Sequence, residues 1–192
     1  MLLALAPGPD NIFVMVQSMV HGVKSGLVTT LGLISGCLIH TTLVAFGVSA
    51  LIQQSEAAFT ILKIVGALYL LFLAFKVYRS EATVNMNTPE QSQQTYVSLY
   101  FKGFMMNVLN PKVAIFFLAF FPGFLFSQEL SNVKQFYVLG LIFMVVSFIV
   151  FAVLAYLAGK ISNYLKQQKT APMVLKWMQI LIFVTIAIYI VL

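Results

Sequence analysis

The sequence predicts an all-α integral membrane protein with six transmembrane helices, arranged as two inverted three-helix repeats within a single domain, 1–192. Three observations predict it. Only 8% of the residues are charged and 61% are hydrophobic, with a mean hydropathy of +0.98, whereas a soluble domain carries about 25% charged residues. The apolar residues are gathered into long runs, and the basic residues crowd into alternate loops between them.

The first run, 1–20, is the shortest, and Pro7-Gly8-Pro9-Asp10 interrupts it. It has no basic n-region and no A-x-A-like site after it, so it reads as a membrane helix rather than a secretory signal peptide. Only eight residues precede Pro9, and the start of this helix is expected to be missing. The runs 27–52, 57–78, 103–126, 136–158 and 173–192 follow, each with about the 20 residues that a helix needs to cross the hydrocarbon. Charge within them is limited to Lys63 and Lys76, towards the ends of the third span, Lys112, inside the fourth, and Lys176, near the start of the sixth. The polar stretch 79–98 reads as a cytoplasmic loop separating repeat 1, about 1–78, from repeat 2, about 99–192. Three spans per half is an odd number, so a repeated fold must insert its second half upside down. Secondary transporters commonly do this, with the substrate site near the midplane where the halves meet.

The net charge of +6 does not point to nucleic acid, because its distribution follows the membrane. Lys24, Lys76, Arg79, Lys102, Lys160, Lys166, Lys169 and Lys176 flank or fill three loops, while the other two loops hold only Lys134, beside Glu56 and Glu129. The positive-inside rule assigns the eight-residue side to the cytoplasm and turns both termini outward. Trp177 and Tyr189, near opposite ends of the sixth span, read as interfacial anchors. Phe116, Phe117, Phe120 and Phe121 read as lipid-facing or core. Cys37 is the sole cysteine, so neither a disulfide framework nor a dithiol pair is available.

Two places carry chemistry. Gly8-Pro9-Asp10-Asn11 in span 1 and Asn110-Pro111-Lys112 in span 4 each put a proline inside an apolar run with a charge directly after it. An interior proline leaves carbonyls unpaired, and membranes tolerate that only where protein groups or water satisfy them. Paired interruptions in corresponding positions point to a transport site. Asp10 is the only acidic residue within a span and Lys112 the only basic one near the middle of one. Each costs about 2.5–3.5 kcal/mol to insert at a helix centre. Placed opposite each other, they would either hold the halves together as a fixed salt bridge or line the pathway and change partners during transport.

Span 2 adds a face of Ser25, Thr29, Gly32, Gly36, His40 and Gly47. Gly32 and Gly36 form a G-x-x-x-G pair, read as a packing face, and Gly66 with Ala67 marks another in span 3. His40, a titratable ring at mid-span, must face the protein interior, either to relay a proton or to hydrogen-bond a carbonyl. Cys37 lies one turn from it, but two ligands without a third make no metal site. No cofactor is expected.

These residues carry a family resemblance over essentially the whole chain. Pro7-Gly8-Pro9-Asp10-Asn11, the glycine-rich second span, Leu62-Lys63 with Gly66-Ala67-Leu68-Tyr69-Leu70, and Phe101-Lys102-Gly103 leading to Asn110-Pro111-Lys112 occur in order. The chain resembles the LysE/RhtB family of amino-acid exporters. The resemblance implies a multi-pass protein of the bacterial inner membrane that expels homoserine, homoserine lactone, threonine, leucine or lysine by proton antiport; a homodimer is compatible with it. Members of the family usually have more residues before the P-G-P motif.

On that reading a zwitterion needs donors for its carboxylate, assigned to Lys112 and the amides after Pro111. It also needs acceptors for its ammonium, assigned to Asp10 and carbonyls freed by Pro7 or Pro9. One charge moved through the membrane potential yields about 2.3 kcal/mol per 100 mV, nearly a fiftyfold gradient. Asp10 is the expected coupling group, with Asn11, Asn110 and His40 around it. Other classes fit less well. A membrane thiol-disulfide enzyme needs a cysteine in each of two interrupted helices, and an intramembrane aspartyl protease needs two carboxylates. An ion or heavy-metal cation exporter stays open as the alternative.

Overall fold

A computed structural model describes residues 8–49, 55–79, 95–160 and 171–191. Pro7, positions 80–94 of the expected loop, Lys166 and Lys169 lie outside the described residues. Every regular element among the described residues is helical: α1 (Pro9–His21), α2 (Val23–Leu43), α3 (Glu56–Arg79), α4 (Tyr96–Val108), α5 (Pro111–Phe120), α6 (Asn132–Lys160) and α7 (Ala171–Val191). A π-turn, Val44–Val48, extends α2, and a 3₁₀ turn, Phe121–Phe124, extends α5.

Three described helices are long and apolar enough to cross a membrane: Val23–Val48, Ala57–Arg79 and Asn132–Lys160. The α4–α5 pair makes a fourth span if it is counted as one, bent by 51° at its break. Helix α1 has 13 residues, about 20 Å at 1.5 Å per residue, against a hydrocarbon core of about 30 Å. Helix α7 has 21 residues, enough at 1.5 Å per residue to cover about 30 Å. Helix α4 begins inside the stretch expected to be loop, because Thr95 caps it: its hydroxyl oxygen accepts the Ser98 amide at 3.2 Å.

Helix α2 is the hub, packed against α1, α4 and α6, while α3 lies along α7 and α5. Tyr78 meets Trp177 at one end of α3, with ring centroids 6.2 Å apart, and Phe59 and Lys63 meet Tyr189 and Ile190 at the other. The two helices are therefore antiparallel. A single residue, Gly22, joins α1 to α2 with φ of 87°, a left-handed conformation that a Cβ disfavours. This turn folds α1 back against α2. Between α5 and α6, the buried Gln135 side chain accepts the Phe126 and Ser127 amides at 2.7 and 2.9 Å. It also donates to the Ser127 and Leu130 carbonyls, both at 2.8 Å, which ties the loop to the start of α6.

Of the four phenylalanines expected as lipid-facing or core, Phe116, Phe117 and Phe121 are buried, clustered with Phe143 of α6. Outward, α3 exposes Ile61, Leu68, Phe72 and Phe75, and α6 exposes Leu141, Val145 and Ile149. Such surfaces would be unfavourable by about 25 cal/mol per Å² in water; hydrocarbon removes that penalty.

Candidate functional site

The prolines expected inside helices stand instead at their beginnings. Pro9 and Pro111 each occupy the first turn of their helix, α1 and α5. That position has no intrahelical N–H bond to lose, and proline's φ is already helical there. Asp10 and Lys112 therefore both lie in the first turn of a helix, where the backbone dipole favours the negative side chain.

Asn110 joins the two helix starts. Its Oδ1 accepts the Lys112 amide at 3.1 Å, capping α5, and its Nδ2 donates to Asp10 Oδ2 at 2.9 Å. Both partners dictate the orientation of the side-chain amide, since an N–H needs an acceptor and a carboxylate needs a donor. Asp10 is 5% exposed, Asn110 8% and Lys112 7%. The Asp10 and Lys112 charges act on each other across the site, and the Lys112 ammonium also lies 5.6 Å from the centre of the Phe183 ring on α7. One expectation changes here. The amides after Pro111 were assigned to a substrate carboxylate, but the Lys112 amide is held by Asn110 Oδ1, and those of Val113 and Ala114 by the Asn110 carbonyl.

Pro111 has a consequence one turn earlier. It has no N–H to offer the carbonyl four residues back, that of Asn107. The Asn110 amide and His40 Nε2 both donate to this carbonyl, at 3.0 Å each. His40 is buried against Phe117, and of its two expected roles the geometry contains the carbonyl bond. Cys37 turns to the same residue, its Sγ 3.7 Å from Asn107 Oδ1. Gly36 leaves space for that side chain: a Cβ there would lie 2.8 Å from Asn107 Cβ. Gly32 abuts the Tyr100 carbonyl across the α2–α4 contact, and Gly66 sits against Ala119 at the α3–α5 contact.

Asp10, Asn11, Cys37, Asn107, Lys112 and Ser147 surround one cavity, closed on its apolar side by Ile34, Val113, Phe143 and Phe151. Its free volume is about 20 Å³, which is room for a water molecule. Asp10 Oδ1 and Ser147 Oγ are both buried without a hydrogen-bond partner. Sequence reasoning missed Asn107 and Ser147. Ser147 is the one Ser, Thr, Asn or Gln in the run 136–158, and Asn107 stands four residues before Pro111; both signals were there to be read.

The model of the LysE type translocator family matches residues 1–192. The homoserine/homoserine lactone efflux protein of Salmonella typhimurium is 34% identical over 168 residues, covering 88% of this chain and 81% of that protein. A Vibrio cholerae protein described as an uncharacterized membrane protein is 31% identical over 163 residues, 85% and 78% of the two chains. The leucine efflux protein of Enterobacter sp. (strain 638) is 28% identical over 167 residues, 87% and 79%. No solved structure matches the chain significantly.

Proposed function

The chain belongs to the LysE type translocator family, and we propose that it exports an amino acid or a close derivative from the bacterial cytoplasm. It transports its substrate without transforming it. The relatives named for homoserine, homoserine lactone and leucine efflux support this substrate class. The observation that carries the reading is the buried site of Asp10, Asn110 and Lys112 at the paired starts of α1 and α5. It offers a carboxylate to an ammonium and an ammonium to a carboxylate on one cavity. A zwitterion matches that pattern, and with its own charges neutralised it avoids the several kcal/mol that an isolated ion pays on leaving water.

Proton antiport drives the export on this reading, with Asp10 exchanging a proton for the substrate's ammonium. The polypeptide is a multi-pass protein of the inner membrane, six spans in two inverted halves with both termini periplasmic. Three of the helix pairings support the inverted repeat. In it α2 meets its counterpart α6, α3 meets α7, and the α1–α6 contact is matched by α4–α2. The basic side chains also support the orientation. Lys24, Arg79, Lys160 and Lys176 each lie over an aromatic ring, of Tyr96, Phe75, Tyr156 and Tyr78 respectively, as expected of interfacial residues beside the cytoplasm. Reporter fusions after Asn87 and Gln167 should register cytoplasm, and fusions after Ser55 and Leu192 the periplasm. A cytoplasmic C-terminus would remove the six-span arrangement.

The transport reading is tested in proteoliposomes loaded with radiolabelled homoserine, homoserine lactone, threonine, leucine or lysine. At least one should leave at ten times the rate from protein-free vesicles or faster, and excess unlabelled substrate should compete. Uniform leakage of all five at the protein-free rate would overturn it.

A further inference from the structure

We propose that Ser147, on α6, is a substrate-binding residue, and that with Asp10 it holds the substrate's ammonium group. The inference rests on the amino-acid reading above and adds the element that completes the site.

A serine or threonine within a helix commonly bonds the carbonyl four residues back. Here Ser25, Thr29, Thr30, Ser35, Thr41, Thr42 and Thr185 all do so, at 2.8 to 3.0 Å. Ser147 departs from that pattern, as do Ser18 and Ser49, but of these three only Ser147 borders the cavity. It is 2% exposed in the middle of α6, and its Oγ is buried with no partner. It borders the same cavity as Asp10, whose Oδ1 is likewise buried and unpartnered while Oδ2 is held by Asn110.

Two polar oxygens without partners on one cavity call for a group that can satisfy both. A carboxylate only accepts and a hydroxyl can accept as well, so a group with two or more hydrogens to donate satisfies both at once. A primary ammonium has three. With the ammonium between Asp10 and Ser147, the substrate carboxylate is directed to Lys112, the cation on the same cavity. The opposite placement would set ammonium against ammonium. The side chain is then left to Ile34, Val113, Phe143 and Phe151.

This arrangement separates stability from affinity. A buried hydroxyl without a partner in the empty protein contributes no hydrogen bond to folding, so Ser147→Ala should leave the melting temperature of the substrate-free protein unchanged or raise it. The same variant loses a bond to a charged donor, which should raise the dissociation constant for the transported amino acid about tenfold or more. Ser147→Thr keeps the hydroxyl and should recover most of the affinity. The experiment is equilibrium binding of radiolabelled L-homoserine and L-leucine to the purified full-length protein, with melting temperatures recorded in parallel. Unchanged affinity in a stably folded Ser147→Ala protein would overturn the assignment while leaving the amino-acid reading intact. Equal losses of stability and affinity in that variant would also overturn it, because they mark a residue that merely packs. If the wild-type protein binds no amino acid at all, the exporter reading falls and this inference falls with it.

Discussion

Asp10→Asn is expected to abolish uphill export while leaving downhill exchange of substrate measurable. The asparagine amide can still accept from Asn110 Nδ2, which holds Asp10 Oδ2 at 2.9 Å, so the link between the starts of α1 and α5 survives. It can no longer take up and release a proton. In proteoliposomes with an imposed proton gradient, the wild type should concentrate substrate on one side and lose the gradient when a protonophore is added. The variant should only equilibrate. A companion measurement reports whether the two charges of the site depend on each other. Removing one member of a buried pair strands the other charge, at roughly 3–5 kcal/mol, so Asp10→Asn and Lys112→Met should each reduce stability or transport more than the double variant does. Strictly additive effects would show that the charges do not couple. Protonophore-sensitive uphill export by Asp10→Asn would move the coupling role away from Asp10, and His40→Gln would then be the next variant to measure.

The second large effect is structural. Gly32→Val should disrupt the fold, because a Cβ at Gly32 falls on the Tyr100 carbonyl and comes within 2.9 Å of the Phe104 amide nitrogen. Both neighbours are backbone, so no side-chain rotation relieves the clash and the α2–α4 pair must separate. The expected destabilisation is about 3 kcal/mol, the upper end of ordinary overpacking, read as loss of monodisperse protein in detergent or a lower melting temperature. Gly103→Val, which meets the Thr29 carbonyl from the other side, should behave alike. Gly47→Ala is the control: nothing lies within 4 Å of a Cβ there, and its stability should match the wild type. Equal stability for Gly32→Val would mean that α2 and α4 are not packed backbone to backbone.

The membrane class, the family and the burial of Asp10 and Lys112 were legible in the residues themselves. Long apolar runs have one solvent in which they are stable, and a charge inside such a run is too unfavourable to persist without a partner or a function. The glycines of span 2 were legible for a similar reason, since G-x-x-x-G spacing leaves a groove on whichever side the helix packs. The position of the prolines was not. A proline in an apolar run reads as a kink when the run is taken as one helix, and only the fold shows that Pro9 and Pro111 each begin one. Both placements satisfy the same local constraint, a missing N–H, and sequence alone does not tell a helix interrupted from a helix starting.

What the sequence determined by itself was therefore solvent and composition: an all-helical membrane protein with a charge of each sign in two proline-marked segments. The tertiary structure alone decided which partners meet. It took up the amides after Pro111 with Asn110, which the sequence reading had reserved for substrate. It also directed His40 to the carbonyl that Pro111 leaves unpaired, at a sequence separation of 67 residues. Ser147 entered the site only through the packing of α6 against α1 and α2. The physical reason is that hydrophobicity and helix propensity act residue by residue along the chain, whereas a hydrogen bond requires two groups within about 3 Å. In a bundle of similar apolar helices, that distance is settled by which faces pack together.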